Sequence, residues 1–266
     1  MNLTQAAMQA LEGAFTAPAP LVVNPAGASP VIVVCEHASC FVPPELKSLG
    51  LDADSLKSHI AWDPGALAVA EGISNRLDAV LVASQVSRLV YDCNRPPGAE
   101  GAVPARSEVF DIPGNQGLGQ AERDTRIALV YEPFRAGLAS VIAAADSPSI
   151  IVTVHSFTPI YNGKTRDVEL GILHDTDSRL ADAMLENTHW HTALDVRRNE
   201  PYGPEDGVTH TLRESAVRAG LHNVMIEIRN DLITTPREQD AMAATLSGWI
   251  VSGLRELGVA IPGEEA

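Results

Sequence analysis

The sequence predicts an α/β protein, a three-layer sandwich with a mixed, mostly parallel central sheet. Three observations carry that expectation. Short apolar runs end on ionisable side chains at Val31-Ile-Val-Val-Cys-Glu36-His37, Ile150-Ile-Val-Thr-Val-His155 and Asn223-Val-Met-Ile-Glu227-Ile-Arg229. Runs that are apolar on both faces read as strands buried in a parallel sheet. Segments of helical periodicity alternate with them, as helices covering such a sheet do. A chain of 266 residues can also bury one large core as a single domain. Residues just past the carboxyl ends of such strands lie in the crevice where open α/β sheets bind ligands. The three ionisable ends therefore make one candidate site, assembled from distant parts of the chain.

In chain order, residues 1–29 read as a leader lying on the surface. Its first 15 residues have helical composition, and Pro18, Pro20, Pro25 and Pro30 interrupt the stretch after them. Residues 30–266 read as the α/β domain. After the strand at 31–35, Pro43 and Pro44 keep a loop extended, and 52–59 reads as a short helix. Asp63, in the turn Trp62-Asp-Pro-Gly65, is placed to cap the next helix. That helix, 66–77, sets Leu67, Ala70, Ile73 and Leu77 on one face. A strand at 79–84 is followed by a Gly- and Pro-rich stretch, 98–119, of a length typical of functional lids or disorder. Then come a helix at 122–145 with a break expected at Pro133, the strand from 150, and a strand over 166–173. A helix at 178–187, an irregular segment at 199–207, a helix at 211–220, the strand 224–228 and a helix at 236–258 complete the chain.

Hydrophobic residues make up 45% and charged residues 20%, ordinary for a globular protein. The net charge of -15 excludes nucleic acid as an expected partner, because binding it rests on Lys and Arg neutralising phosphates. An anionic small substrate would need a local cluster of arginines. Three cysteines without a CxxC pair fit a reducing compartment and disfavour a thiolate zinc site. No signal-peptide pattern opens the chain and no run of about 18 apolar residues is read, so neither a membrane partner nor an address other than the cytoplasm is expected. Oligomeric state is not legible.

His37 and His155, at equivalent strand ends with acidic groups nearby, point to a metal. A buried neutral imidazole is the bland alternative for either alone. Catalytic zinc takes three ligands from His, Asp and Glu and leaves one position open. Asp63 is the best candidate for the third, although an N-cap is the commoner use of such a residue. Glu36 competes but is weaker, because neighbours on a strand face opposite sides. Glu227, flanked by isoleucines, costs free energy unless paired or near a metal. It is either a general base or the ion-pair partner of Arg229. Arg88, Arg95, Arg166 and Arg229 lie near strand ends, and as a set they suit a carboxylated substrate. His210, after the second irregular segment, can reach a ligand. His189-Trp-His191 reads as a solvated loop, and Cys35 as a small core residue.

Five pieces together resemble the N-formylglutamate amidohydrolase family. They are Cys35-Glu-His37-Ala-Ser39, His59-Ile-Ala-Trp-Asp63-Pro-Gly-Ala66, Ser87-Arg88-Leu-Val-Tyr-Asp92-Cys-Asn94-Arg95-Pro96, Thr153-Val-His155-Ser156-Phe157 and Ile226-Glu227-Ile-Arg229-Asn-Asp231-Leu-Ile233. The resemblance spans about residues 30 to 235. It implies a fold similar to zinc carboxypeptidases and peptidoglycan amidases, and hydrolysis of N-formyl-L-glutamate to formate and L-glutamate, late in histidine breakdown. It also implies one divalent metal, most simply Zn2+, on His37, Asp63 and His155, with Glu227 as base. Arg88 then serves the oxyanion or a substrate carboxylate, and Asn94, Arg95 and Arg229 the substrate's carboxylates. The rivals are the same mechanism on another N-acyl or peptidoglycan amide, and a member of the fold without turnover.

Overall fold

The computed structural model describes residues 15–145 and 150–260. Seven strands form one mixed sheet: β1 (Leu21–Val23), β2 (Val31–Cys35), β3 (Val80–Ala83), β6 (Ile150–Phe157), β9 (Leu170–Leu173), β10 (Val196–Arg198) and β11 (Asn223–Arg229). Two hairpins stand apart from it: β4 (Arg106–Ser107) with β5 (Phe110–Asp111), and β7 (Ile160–Tyr161) with β8 (Lys164–Thr165). The order across the sheet is β1-β3-β2-β6-β11-β9-β10. The centre, β3-β2-β6-β11, is parallel; β9 runs antiparallel to β11, β10 parallel to β9, and β1 antiparallel to β3. The mixed, mostly parallel sandwich that the sequence predicts is the fold observed.

Both faces are covered, which is why the central strands are apolar throughout. Alternation then divides their side chains. Val31, Val33, Cys35, Val152, Val154, Ile226 and Ile228 join a core with the helices Ala66–Leu77, Arg179–Glu186 and Pro236–Glu256. Ile32, Val34, Ile151 and Met225 join the opposite core, with Tyr91, Tyr131, Phe134 and Leu138. Carried to the carboxyl ends, the same parity places Glu36, His155 and Glu227 on this second face.

Several expectations change in detail. The segment before residue 30, read as a surface leader, supplies β1 to the sheet edge; the helix read for 1–15 falls outside the described residues except for Phe15. The strand read over 166–173 is confined to β9, so Arg166 sits in a loop. His189 to His191 form a short helix, Thr188–His191. The break expected at Pro133 is a π-helical turn, Ile127–Tyr131, and Pro133 then opens the helix Glu132–Ala144. A proline lacks the N–H that an interior helical position needs, and the first turn does not. The helical path Gln120–Ala144 is long and apolar enough, by length and composition alone, to cross a membrane. Glu132 and Arg135 interrupt its sequence, and Val130, Tyr131, Phe134 and Leu138 pack on the sheet.

Gly65, not Asp63, is the N-cap of the helix Ala66–Leu77. It adopts φ 84°, and a Cβ there would lie 2.6 Å from the Ile233 carbonyl oxygen. Both the left-handed backbone and the close approach require glycine. Gly65→Ala is expected to lower stability by about 1–3 kcal/mol in denaturant unfolding, because Ile233 and the turn carrying Asp63 must both shift.

Candidate active site

The parallel register sets the first half of the site. β2 pairs with β6 so that Val34 faces Thr153, and β6 pairs with β11 so that His155 faces Glu227. Two residues beyond Val34, Glu36 comes level with His155, its Oε2 3.1 Å from His155 Nε2, an ion-pair distance without hydrogen-bond alignment. Glu36, His155 and Glu227 thus form one buried row, exposed by 1%, 2% and 5%. The strand ends at Cys35, and the chain turns through Glu36 and His37, so His37 swings into the same cavity instead of facing away from it.

Asp63 completes the cluster. Its backbone N–H donates to the His37 carbonyl at 2.9 Å, tying the turn before the helix to the end of β2. Its Oδ2 lies 3.2 Å from His37 Nδ1 and 2.8 Å from His155 Nδ1, and the two Nδ1 atoms are 3.2 Å apart. Three ligand atoms around a tetrahedral ion with bonds of about 2.0–2.1 Å stand roughly 3.3 Å apart. The far nitrogens both face carboxylates: His37 Nε2 is hydrogen-bonded to Asp92 Oδ1 at 2.7 Å, and His155 Nε2 lies at ion-pair distance from Glu36. This is the arrangement in which metal-binding imidazoles are oriented and made more basic. The expected His37, Asp63 and His155 come together, and Glu36, the rival third ligand, sits behind His155.

Electrostatics point the same way. Glu36, Asp63, Asp92 and Glu227 are all buried, against the guanidinium of Arg88, which meets Asp63 Oδ1 at 3.3 Å and Asp92 Oδ2 at 2.8 Å, and the more distant Arg95, 3.9 Å from Asp92. Burial alone would raise every carboxyl here, yet His37 and Arg88 hold Asp92 well below its usual range, and the two imidazoles hold Asp63 low. Burial pushes His155 down, but Glu36 and Asp63 outweigh it and raise it well above the ordinary value. Glu227 differs. Burial first, then the charge of Asp63, pushes it up to about 7; its Oε2, like both oxygens of Glu36, has no hydrogen-bond partner among the described residues. A carboxylate excess with two inward Nδ1 atoms and an orphaned oxygen fits a divalent cation.

The cluster forms the floor of a cavity of about 520 Å³. Arg88, Asn94, Arg95 and Arg166 line it; Arg229 and His210 do not. Arg229 is turned to Asp231 and Glu169, at 2.8 and 3.3 Å, so it is not the partner of Glu227. His210 is hydrogen-bonded to Tyr131 at 2.9 Å. Asn94 is committed to the backbone, donating to the Val208 carbonyl and accepting from Thr211 N–H. Arg95 donates to the Asp206 carbonyl. Arg166 packs against the rings of Tyr161, Tyr202 and Phe157, at 4.4, 4.8 and 5.6 Å from guanidinium to centroid. Sequence reasoning missed Asp92, Tyr202 and Glu108. Asp92 stands four residues after Arg88 and within one of the five family-like pieces, and those were its available signals.

The model of the N-formylglutamate amidohydrolase family matches residues 29–234. The chain belongs to the N-formylglutamate amidohydrolase family. The match takes in His37, Asp63, Asp92, His155 and Glu227, and family membership makes the chain an amidohydrolase. A crystal structure of a gene product from Agrobacterium tumefaciens is 53% identical, with TM-score 0.88 over 90% of this chain and 96% of that one. The crystal structure of N-formylglutamate amidohydrolase from Ralstonia eutropha JMP134 shares the fold at 19% identity, with TM-score 0.63 over 91% of this chain and 99% of that one. No curated protein matches the chain.

In a zinc titration followed by mass spectrometry, the wild-type chain is expected to take up one ion and Asp63→Ala none. Asp92→Asn is expected to bind about 10- to 100-fold more weakly, because His37 loses the carboxylate that orients it.

Proposed function

We propose that this chain is a metal-dependent amidohydrolase that cleaves N-formyl-L-glutamate, or a closely related N-acyl amino acid, to formate and L-glutamate. The observation that carries the reading is the convergence of His37 Nδ1, His155 Nδ1 and Asp63 Oδ2 beside the unpartnered Glu227. His37, Asp63 and His155 would hold the ion, and zinc suits two imidazoles and a carboxylate. Bound there, it supplies a Lewis acid that polarises the amide carbonyl and lowers the pKa of water from about 16 towards 7.

The chain's own groups do the rest. Glu227 lies next to His155 across the strand pair, and its raised pKa suits a group that must both accept and release a proton near neutrality. It takes the proton of the attacking water at its carboxylate and returns it to the leaving amine nitrogen. Arg88, held between Asp63 and Asp92, faces the cavity beside the cluster and balances the negative charge that develops on the carbonyl oxygen. Arg166 is the lining cation with no carboxylate partner among the described residues, which fits it to a carboxylate of the substrate. Arg95, 21% exposed and 3.9 Å from Asp92, is the second cation in reach of such a group. The same reading sets the reaction late in histidine breakdown.

Glu227→Gln is expected to keep the ion and lose about 10²- to 10⁴-fold in turnover, measured as formate release beside metal content. In a substrate panel, N-formyl-L-glutamate is expected to exceed N-acetyl and peptide amides, with activity abolished by a chelator and restored by zinc. Chelator-insensitive hydrolysis would remove the metal from the reading. Preference for a peptide amide would move the substrate.

A further inference from the structure

The cavity's outer wall is built from parts that have almost no core of their own. The hairpins β4–β5 and β7–β8 use two-residue strands, and Arg106, Asp111, Ile160, Tyr161, Lys164 and Thr165 are all half-buried or exposed. Isolated hairpins of that size are not stable in water. One side chain joins them. Glu108, at the tip of the first hairpin, has φ 52° and a side chain only 10% exposed, although it sits at the rim. Its Oε2 accepts from His59 Nε2 at 2.7 Å, and its Oε1 accepts from the Asn162 backbone N–H at 2.8 Å.

Those two partners lead to opposite sides of the site. His59 is four residues before Asp63, on the segment that delivers the third member of the cluster. Asn162 is in the turn of the second hairpin, directly after Tyr161, whose ring lies 4.4 Å from the Arg166 guanidinium. Asn162 and Gly163 both have positive φ, 50° and 73°, as a tight two-residue hairpin turn requires. The turn sets Tyr161 directly beside the residue whose N–H Glu108 holds.

We propose that Glu108 is a positioning residue that clasps the two hairpins to the His59 segment and so fixes the Tyr161–Arg166 wall at a set distance from the His37–Asp63–His155 cluster, selecting amides whose amine portion carries a carboxylate. Both of its carboxylate oxygens are taken, by His59 and by Asn162, so it acts through them although it lines the cavity. Its effect falls on carboxylate recognition and not on the proton transfers at Glu227. This deepens the proposed function and rests on it for the identity of the substrate; the clasp itself does not.

Two measurements on the zinc-loaded full chain separate the claims. Amide hydrogen exchange needs no substrate: Glu108→Ala is expected to speed exchange across 106–111 and 158–165, leaving β6 and β11 protected as in the wild type. Kinetics with N-formyl-L-glutamate are expected to show KM raised about tenfold or more, kcat within about threefold, and the preference over the uncharged diamide of N-formylglutamate largely lost. Glu108→Gln is expected to restore most of both, since its amide oxygen can accept from Asn162 and its NH2 can donate to His59. Unchanged exchange in the hairpins, or faster exchange in β6 and β11 as well, overturns the clasp. Altered exchange with KM and carboxylate preference unchanged overturns the role in recognition. A wild-type chain that hydrolyses neither amide refutes the proposed function, while the exchange data still decide the clasp.

Discussion

The register between β2, β6 and β11 is the constraint on which the rest of the structure depends. Parallel pairing fixes which residues lie side by side, and parity fixes the face on which they lie. With Val34 opposite Thr153 and His155 opposite Glu227, three ionisable groups fall in a row at one end of the sheet. A slip of one residue would turn His155 into the apolar core under the helix Pro236–Glu256 and bring Val154 into the cavity. The apolar strands therefore do two things at once. They bury the core, and they aim the chemistry.

Four buried carboxylates around two imidazoles and one arginine would be costly if each stood alone, several kcal/mol per unpaired charge. The arrangement removes most of that cost by sharing. Asp92 serves His37, Arg88 and the backbone N–H of Asn94; Asp63 serves both imidazoles and Arg88. Glu227 is left outside the sharing, and its proton affinity rises accordingly. One fold thus holds some carboxyls below their ordinary range and raises another, through nothing more than who faces whom.

The cavity's walls follow a different logic from its floor. The floor is sheet, held by a continuous ladder and by two cores. The walls are loops and two-residue hairpins, held by single contacts such as Glu108 with Asn162 and Arg166 with its aromatic neighbours. Binding groups commonly sit on such segments while a rigid scaffold carries the reacting groups. Gly171 shows how tightly the two are joined. It lies opposite Glu227 in the β9–β11 pair, and a Cβ there would collide with the Glu200 carbonyl oxygen, just before the Tyr202 that packs on Arg166.

The central strands, the covering helices, His37, His155 and Glu227 could be read from the sequence because each is a local signal: an apolar run and the polar residue that ends it. β1 and β10 could not, being three-residue edge strands whose pairing, not composition, makes them strands. Arg88, Arg95 and Arg166 were legible as cations near strand ends, and the cavity does hold them; Arg229 and His210 had the same local appearance, yet ion pairs with Asp231 and Glu169, and a bond to Tyr131, draw them elsewhere. The roles of Glu36, Asp63 and Asp92 depended on which nitrogen of which ring each would meet, and Glu108 on a hairpin more than fifty residues away. The order of residues alone settled which groups were available and which strands would be buried. Folding settled which of those groups share a charge, because that turns on ångström-scale distances between segments far apart along the chain.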